Sequence, residues 1–184
     1  MSTPPAQLAG TVRWAIVPYT PRPPFRIYAE ERAPYEIPGA EQLIEASRRG
    51  GDAEFTYLVS AKARPLLILS ELPLVHHHEV TALRLLRFSK LDPAEQQDVR
   101  AQKHELLFHL DPSRFDLPEE NAAMVSALER VHADAISSGP PLGRLDDYEL
   151  RVIGERIIRF YKFDIRLLLE RRIRELAAQR SRQP

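Results

Sequence analysis

The chain of 184 residues contains no cysteine, which excludes disulfide frameworks, thiol catalysis and cysteine-ligated metal sites. It carries no net charge, with 26 basic and 26 acidic residues, and no apolar run approaches membrane-spanning length. Glycine is scarce, at 7 residues against 16 prolines, which predicts stiff connections between short elements. The first residues lack the basic-then-apolar pattern of a secretory signal peptide, so we expect a cytoplasmic protein without a membrane partner.

The composition is ordinary for a soluble globular protein, with 43% hydrophobic and 28% charged residues. One domain with a full core is expected at this length, so we predict a single domain over residues 1–184. The charge is unevenly placed, because residues 64–150 carry 9 basic and 15 acidic side chains whereas residues 151–184 carry 10 and 4. The cationic C-terminal part predicts contact with nucleic acid, with an acidic partner, or with the acidic body of this chain or of another copy.

The stretch Arg64–Ser70 is an apolar run between an arginine and a serine, a pattern that predicts a buried strand. Pro65 is expected at the first strand position, because proline cannot donate to the hydrogen-bond ladder. Arg64 would then stand at the mouth of the strand. A fixed guanidinium there suits phosphate binding and the stabilisation of transition-state charge. A solvated arginine that merely flanks a core strand is the simpler alternative.

Turn residues and β-branched or aromatic runs predict the other strands. These strands cover residues 11–17, 55–59, 80–89 and 104–110. Residues 21–63 look like an insertion that contains a helix at Ala40–Arg49, bounded by glycines on both sides. Residues 122–136 stay ambiguous, because their alanines favour a helix by propensity whereas tertiary context can impose a strand.

Two further helices are predicted from their capping residues. Asp92 followed by Pro93 predicts a short helix that ends near residue 102. Asp146 and Asp147 predict the start of a long helical region over residues 146–182. One apolar stripe runs along it and indicates packing on its own domain or on a second copy. The stripe begins with Leu150, Ile153, Ile157 and Tyr161 and continues to residue 176.

Three adjacent histidines, His76, His77 and His78, raise the possibility of a metal site. Neighbouring side chains on an extended chain point to opposite faces, so three adjacent histidines cannot converge on one ion. Cysteine and an HExxH motif are both lacking. The sequence therefore favours a solvated loop, and we expect neither a metal nor a cofactor.

Four stretches, in the same order, resemble the MazF/PemK toxins. They are Gly10–Pro21, the RPxxxxS strand Arg64–Ser70, the leucine-proline turn Leu117–Asn121, and the helix start Leu142–Leu150. The resemblance implies an α+β fold with an SH3-like β-barrel of the CcdB/PemK type and a long C-terminal helical arm, usually dimeric. It also implies the toxin of a type II toxin–antitoxin system, a metal-independent endoribonuclease that cleaves single-stranded RNA and has a cognate antitoxin protein as partner.

The resemblance also implies roles for individual residues. Arg64 matches the strand-edge arginine that stabilises charge on the phosphate while the ribose 2′-oxygen attacks. Ser89 is the best candidate for the assisting hydroxyl. The catalytic prediction is therefore Arg64 with Ser89. The nucleic-acid-binding prediction consists of Arg13, Arg87 and Lys90.

Departures from the family pattern keep two alternatives open. Phe88 stands where the family has a threonine, and the 21–63 insertion replaces a loop that helps to admit RNA in the family. The first alternative is a catalytically degenerate barrel that binds nucleic acid or protein. The second is a topoisomerase poison that acts by protein contact alone, an alternative based only on fold analogy.

Overall fold

The structure, a computed structural model, describes residues 8–29, 32–50, 56–70 and 78–162. The chain divides into two compact units. Unit 1 comprises residues 1–14 and 65–184, and unit 2 comprises residues 15–64, so that the predicted insertion falls inside unit 2.

The described residues form nine strands and three α-helices. The strands are β1 (Thr11–Pro18), β2 (Phe25–Ala29), β3 (Arg32–Ile37), β4 (Thr56–Tyr57), β5 (Ala61–Ile68), β6 (Glu79–Arg87), β7 (Leu107–Leu110), β8 (Asn121–His132) and β9 (Gly143–Arg144). The helices are α1 (Ala40–Gly50), α2 (Pro93–Arg100) and α3 (Asp147–Phe160). One sheet has the strand order β7-β8-β6-β5-β1-β9, and the other has the order β3-β2-β4.

The core of unit 1 is built from inward-facing positions of the strands and one face of α3. Val12, Leu67 and Leu83 are fully buried in it, and Ile153 of α3 has 0% exposure. Antiparallel pairing aligns Leu67 with Leu83, and β6 in turn pairs antiparallel with β8. Burying these side chains is what holds α3 against the sheet, at roughly 1.5–3 kcal/mol for each large apolar side chain.

Unit 2 has a smaller core of its own. Ile27 of β2, Ile37 of β3 and Leu43 of α1 are buried together. Strand β2 pairs antiparallel with β3 and with β4. A helix lying on a three-stranded sheet gives this segment an independent hydrophobic cluster, because both elements bury one face.

The helix predictions are confirmed where the chain is described. Helix α1 covers residues 40–50. Helix α2 begins at Pro93 with Asp92 as its N-cap, and α3 begins after Asp146. Both caps are capping boxes, in which the aspartate accepts from the N3 amide and the N3 glutamate accepts in return. The part of the predicted helical region beyond residue 162 lies outside the described residues.

Several strand predictions need correction. Arg64 is the fourth residue of β5 and not its first, and Pro65 follows it inside the strand. Pairing of β5 with β6 begins only at Leu66, so that proline stands where no hydrogen bond to β6 is needed. Ser89 was predicted on a strand, but β6 ends at Arg87 and Ser89 lies on the short 3-10 turn that follows.

The ambiguous segment 122–136 is a strand up to His132, and a short 3-10 turn over Ala133–Ala135 follows. Strand β8 spans Asn121–His132 and lies between β6 and β7, so ladders on both sides override the helix propensity of its alanines. Strands β2 and β3 were not predicted at all. The strand expected over residues 55–59 is observed only at Thr56–Tyr57, and Phe55 lies outside the described residues.

The expected mixture of helices with an antiparallel sheet is confirmed in the described part of the chain. Closure of that sheet into an SH3-like barrel stays a prediction. The described residues include no helix long and apolar enough to span a membrane.

Candidate functional site

Arg64 is held on a strand and has a nitrogen without a partner. Its side chain is half-buried, and its Nε has no hydrogen-bond acceptor within the part of the chain described here. Its guanidinium carbon lies 5.7 Å from the centroid of the Tyr19 ring, a distance at which a cation is attracted to the ring face. A buried guanidinium nitrogen without an acceptor is costly. Because Nε is closed to solvent, what Arg64 offers to an anion is the permanent positive charge of its guanidinium.

Unit 2 also contains a cavity of about 340 Å³. Three aromatic side chains line it, Tyr19, Phe25 and Tyr57, together with Arg22 and Arg26. The Phe25 and Tyr57 rings meet edge to face with centroids 5.7 Å apart. Aromatic rings beside cations are the combination that binds single-stranded nucleic acid, because bases stack and phosphates pair with the charges.

Sequence reasoning missed this cavity. Residues 21–63 were assigned to an insertion, and none of them was selected for binding. The available signal was the interleaving of Tyr19 and Phe25 with Arg22 and Arg26.

Ser89 is exposed and already engaged. Its Oγ donates to Oε2 of Glu119 at 2.8 Å, and Nε of Arg87 lies 3.1 Å from the other oxygen of the same carboxylate. The structure therefore brings Arg87 and Ser89 together on Glu119, a residue that sequence reasoning had not selected. A hydroxyl that donates to a carboxylate keeps its lone pairs free for a second donor.

The other predicted cations have different placements. Lys90 is exposed on the 3-10 turn beside Ser89 and forms no ion pair with any described residue. Arg13 is buried at 6% exposure and donates to the carbonyl oxygens of Ser137 and Gly139, at 3.2 and 2.5 Å. These contacts give Arg13 a structural role, and it presents no free surface to a nucleic acid.

Arg64 is the last residue of unit 2, whereas Arg87, Ser89 and Lys90 belong to unit 1.

A second polar cluster adjoins Ser89 in unit 1. Glu120 accepts two hydrogen bonds from Arg100, at 2.8 and 2.5 Å, and lies 2.8 Å from Nε2 of His109. The pKa of Glu120 is lowered, first by the hydrogen bond from Arg100 and also by that from His109. The Phe88 ring is flanked by the Arg100 guanidinium at 5.0 Å and by the His109 ring at 5.4 Å. This arrangement anchors α2 and β7 to the start of β8.

The described residues contain no group of three histidines, aspartates or glutamates that suits a metal ion. His76 and His77 lie outside the described residues. The ring of His78 lies 6.0 Å from that of His132, centroid to centroid. The prediction of no metal and no cofactor stays a prediction.

No model of a known protein family matches the sequence, and no curated protein matches it either. Among solved structures, the chain is similar to the Mycobacterium tuberculosis toxin MazF-mt6, with 18% sequence identity and a TM-score of 0.40. The match covers 56% of this chain and 90% of the toxin. A likeness at this level carries no argument about function.

Proposed function

We propose that the protein is a metal-independent endoribonuclease that cleaves single-stranded RNA as the toxin of a type II toxin–antitoxin system. The main support for this proposal is the position of Arg64. Its permanently charged guanidinium is held on β5, and its Nε has no hydrogen-bond partner among the described residues. Its place in the Arg64–Ser70 motif, which resembles that of the MazF/PemK toxins, supports the same role.

The proposed reaction is attack of the ribose 2′-oxygen on the adjacent phosphorus, which expels the 5′-oxygen and leaves a 2′,3′-cyclic phosphate. Arg64 supplies the positive charge that stabilises the extra negative charge on the phosphate oxygens. Arginine is too weak an acid to give up a proton, so the proton for the leaving 5′-oxygen comes from water. The resemblance to the toxins makes Ser89 the assisting hydroxyl, and Glu119, to which the Ser89 hydroxyl donates, is the carboxylate that suits uptake of the proton from the 2′-hydroxyl.

The cavity in unit 2 supports the choice of substrate. Its rings, Tyr19, Phe25 and Tyr57, offer faces and edges to unstacked bases, whereas Arg22 and Arg26 offer charges to phosphates. A duplex keeps its bases stacked inside the helix, so rings of this kind favour a single strand. We include an antitoxin partner, a homodimer and a cytoplasmic location in the proposal, on the resemblance alone.

The test is cleavage of a mixed-sequence single-stranded RNA by the purified protein, in the presence of EDTA. We expect products that end in a 2′,3′-cyclic phosphate, and we expect Arg64→Ala to slow cleavage by about 10²–10³-fold, the usual cost of losing one charge-stabilising group. Arg151→Ala is the matched control, since Arg151 is exposed on α3. Intact RNA after incubation with the wild-type chain, or equal rates for both variants, would refute the proposal.

A binding module without catalysis is the second candidate, and a specific contact favours it. Glu119 already neutralises Arg87 and occupies the Ser89 hydroxyl, so this part of the surface is satisfied internally. The two candidates differ in one measurement. A binding module retains RNA on a filter without cutting it, and its affinity survives Ser89→Ala.

A further inference from the structure

A larger cavity, of about 490 Å³, lies in unit 1 where the connection between α2 and β7 meets the end of α3. Four cations line it, Lys103, Arg156, Arg159 and Lys162, with one carboxylate, that of Glu105. The balance of these charges is +3. The volume is in the range that holds a small organic ligand, and none of the residues proposed for RNA cleavage lines this cavity.

Arg156 is the structural cation of the cavity wall. Its guanidinium donates to the carbonyl oxygens of Gln102 at 2.8 Å, of His104 at 3.1 Å and of Leu107 at 2.9 Å. It also lies 5.4 Å from the centroid of the Phe108 ring. These contacts fix the α2–β7 connection against α3 and so keep the cavity formed in the absence of a ligand.

The field inside the cavity is positive. Burial lowers the pKa of Arg156, and the charge of Arg159 lowers it further. An anion that enters the cavity offsets this like-charge repulsion.

The other three cations of the cavity have no partner among the described residues. Lys103, Arg159 and Lys162 are exposed, and their side chains form no hydrogen bond or ion pair with any described residue. Cations at the C-terminal end of a helix are favourable because they oppose the helix dipole, which accounts for Arg159 and Lys162. Lys103 comes from the opposite wall and has no such explanation, so the cavity holds more positive charge than α3 requires.

The lining also contains groups that a simple anion does not use. Phe160 is 40% exposed, and its ring is held edge to face against Tyr161 with centroids 4.9 Å apart. Glu105 repels a bare anion but accepts hydrogen bonds from ribose hydroxyls or from an exocyclic amine. An aromatic face, an acceptor and a set of cations together match a nucleotide better than inorganic phosphate.

We propose that this cavity binds a nucleotide, with its phosphates on Lys103, Arg159 and Lys162 and its base against Phe160. The shared chemistry is a phosphorylated nucleoside, which is present both in a free nucleotide and at the 5′-phosphorylated end of an RNA. Binding at this cavity is independent of the cleavage proposed for Arg64, because the two sets of residues do not overlap.

The test uses the full chain carrying Arg64→Ala, in which we expect RNA cleavage to be slow. Isothermal titration calorimetry compares ATP, inorganic pyrophosphate, and a short oligoribonucleotide with either a 5′-phosphate or a 5′-hydroxyl. We expect saturable binding of ATP that is tighter than that of pyrophosphate. The double variant Arg159→Gln/Lys162→Gln should weaken it by about tenfold or more, since two charge-assisted contacts are lost. Tighter binding of ATP or of the 5′-phosphorylated oligonucleotide shows whether the ligand is a free nucleotide or the end of an RNA.

Two matched variants sharpen the result. Arg151→Gln removes a positive charge from α3 outside the cavity and should change the affinity for ATP by less than about twofold. Lys103→Gln removes a positive charge from the opposite wall of the cavity and should weaken the binding of ATP. Phe160→Leu should reduce the difference in affinity between ATP and pyrophosphate. Absence of saturable binding for both ATP and the 5′-phosphorylated oligonucleotide overturns the proposal. So does equal affinity for ATP and pyrophosphate, or an equal loss in Arg151→Gln and the double variant.

Discussion

At the scale of the residue, the reactivity of each polar side chain depends on its hydrogen-bond partner. Ser89 and Arg87 share the carboxylate of Glu119, whereas Nε of Arg64 has no acceptor in the described part of the chain. The Ser89 hydroxyl, bound to a carboxylate, has a base beside it, whereas the unpaired Nε of Arg64 is buried from solvent. The two residues predicted to be catalytic therefore differ in how ready each is for a substrate.

Glu119→Gln tests whether that carboxylate takes up the proton. The substitution keeps the size of the side chain and removes its charge, so we expect single-turnover RNA cleavage to slow by about 10²-fold, a typical contribution of a general base. Stability should change by less than about 1 kcal/mol, because the pairs involved are solvent-accessible. Glu155→Gln on the exposed face of α3 is the control. Unchanged cleavage in Glu119→Gln would make the Ser89–Glu119 pair a surface contact only.

At the scale of the element, short connections are fixed by buried apolar contacts and by charged anchors. Helix α3 is attached through Ile153, which has no exposed surface. Helix α2 and strand β7 are attached through Arg100 and His109, which both reach Glu120 at the start of β8. The first attachment depends on area removed from water, and the second depends on the ionisation of one carboxylate.

Ile153→Ala tests the apolar attachment. Deleting a fully buried isoleucine side chain should lower the free energy of unfolding by about 2–5 kcal/mol, through lost burial and the cavity left behind. Urea unfolding followed by circular dichroism measures this, with Glu155→Ala on the same helix expected to stay within about 0.5 kcal/mol. Equal stability of the two variants would show that α3 does not pack as described.

The charged attachment predicts a dependence on pH. The folded-state pKa of Glu120 lies below the ordinary value of 4.5, so its contribution to stability is present above pH 4.5 and is lost as the pH falls through the lower, folded-state value. Urea unfolding between pH 7 and pH 3 should show this loss. In Glu120→Gln, stability at pH 7 should be lower and its fall with acid should be smaller. An identical acid profile in the variant would rule out this linkage.

At the scale of the whole molecule, zero net charge means that any nucleic-acid binding depends on local groups of cations. Residues 64–150 are acidic overall and offer no general attraction for RNA. Arg22, Arg26 and Arg64 in unit 2 therefore supply the phosphate contacts proposed for the substrate. A small number of such contacts predicts a shallow dependence of affinity on salt.

Fluorescence anisotropy with a single-stranded RNA at increasing NaCl measures this dependence. Three phosphate contacts predict a slope of about −2 in log affinity against log salt concentration, at about −0.7 for each contact with a single strand. Arg22→Ala/Arg26→Ala should make the slope shallower by about 1.4. The double variant Arg130→Ala/Arg151→Ala, with both residues exposed in unit 1, should leave the slope unchanged. A slope insensitive to Arg22 and Arg26 would place RNA elsewhere on the protein.

The sequence by itself determined the elements whose signals are local. Both helix starts, at Asp92 and Asp146, were predicted from the sequence because an N-cap depends on residues only a few positions apart. Strand β1 and the apolar part of β5 followed from β-branched and apolar runs. Arg64 was selected from its motif, although its position inside β5 was not foreseen.

Only the tertiary structure decided the rest, because those features depend on residues far apart in the chain. Residues 121–132 form a strand because β6 and β7 pair with them on both sides. Arg13 is structural because carbonyl groups 124 and 126 positions later accept its hydrogen bonds. Ser89 meets Glu119, 30 positions away, only once the turn before β8 is folded. Local propensity cannot encode such partners, and the fold supplies them.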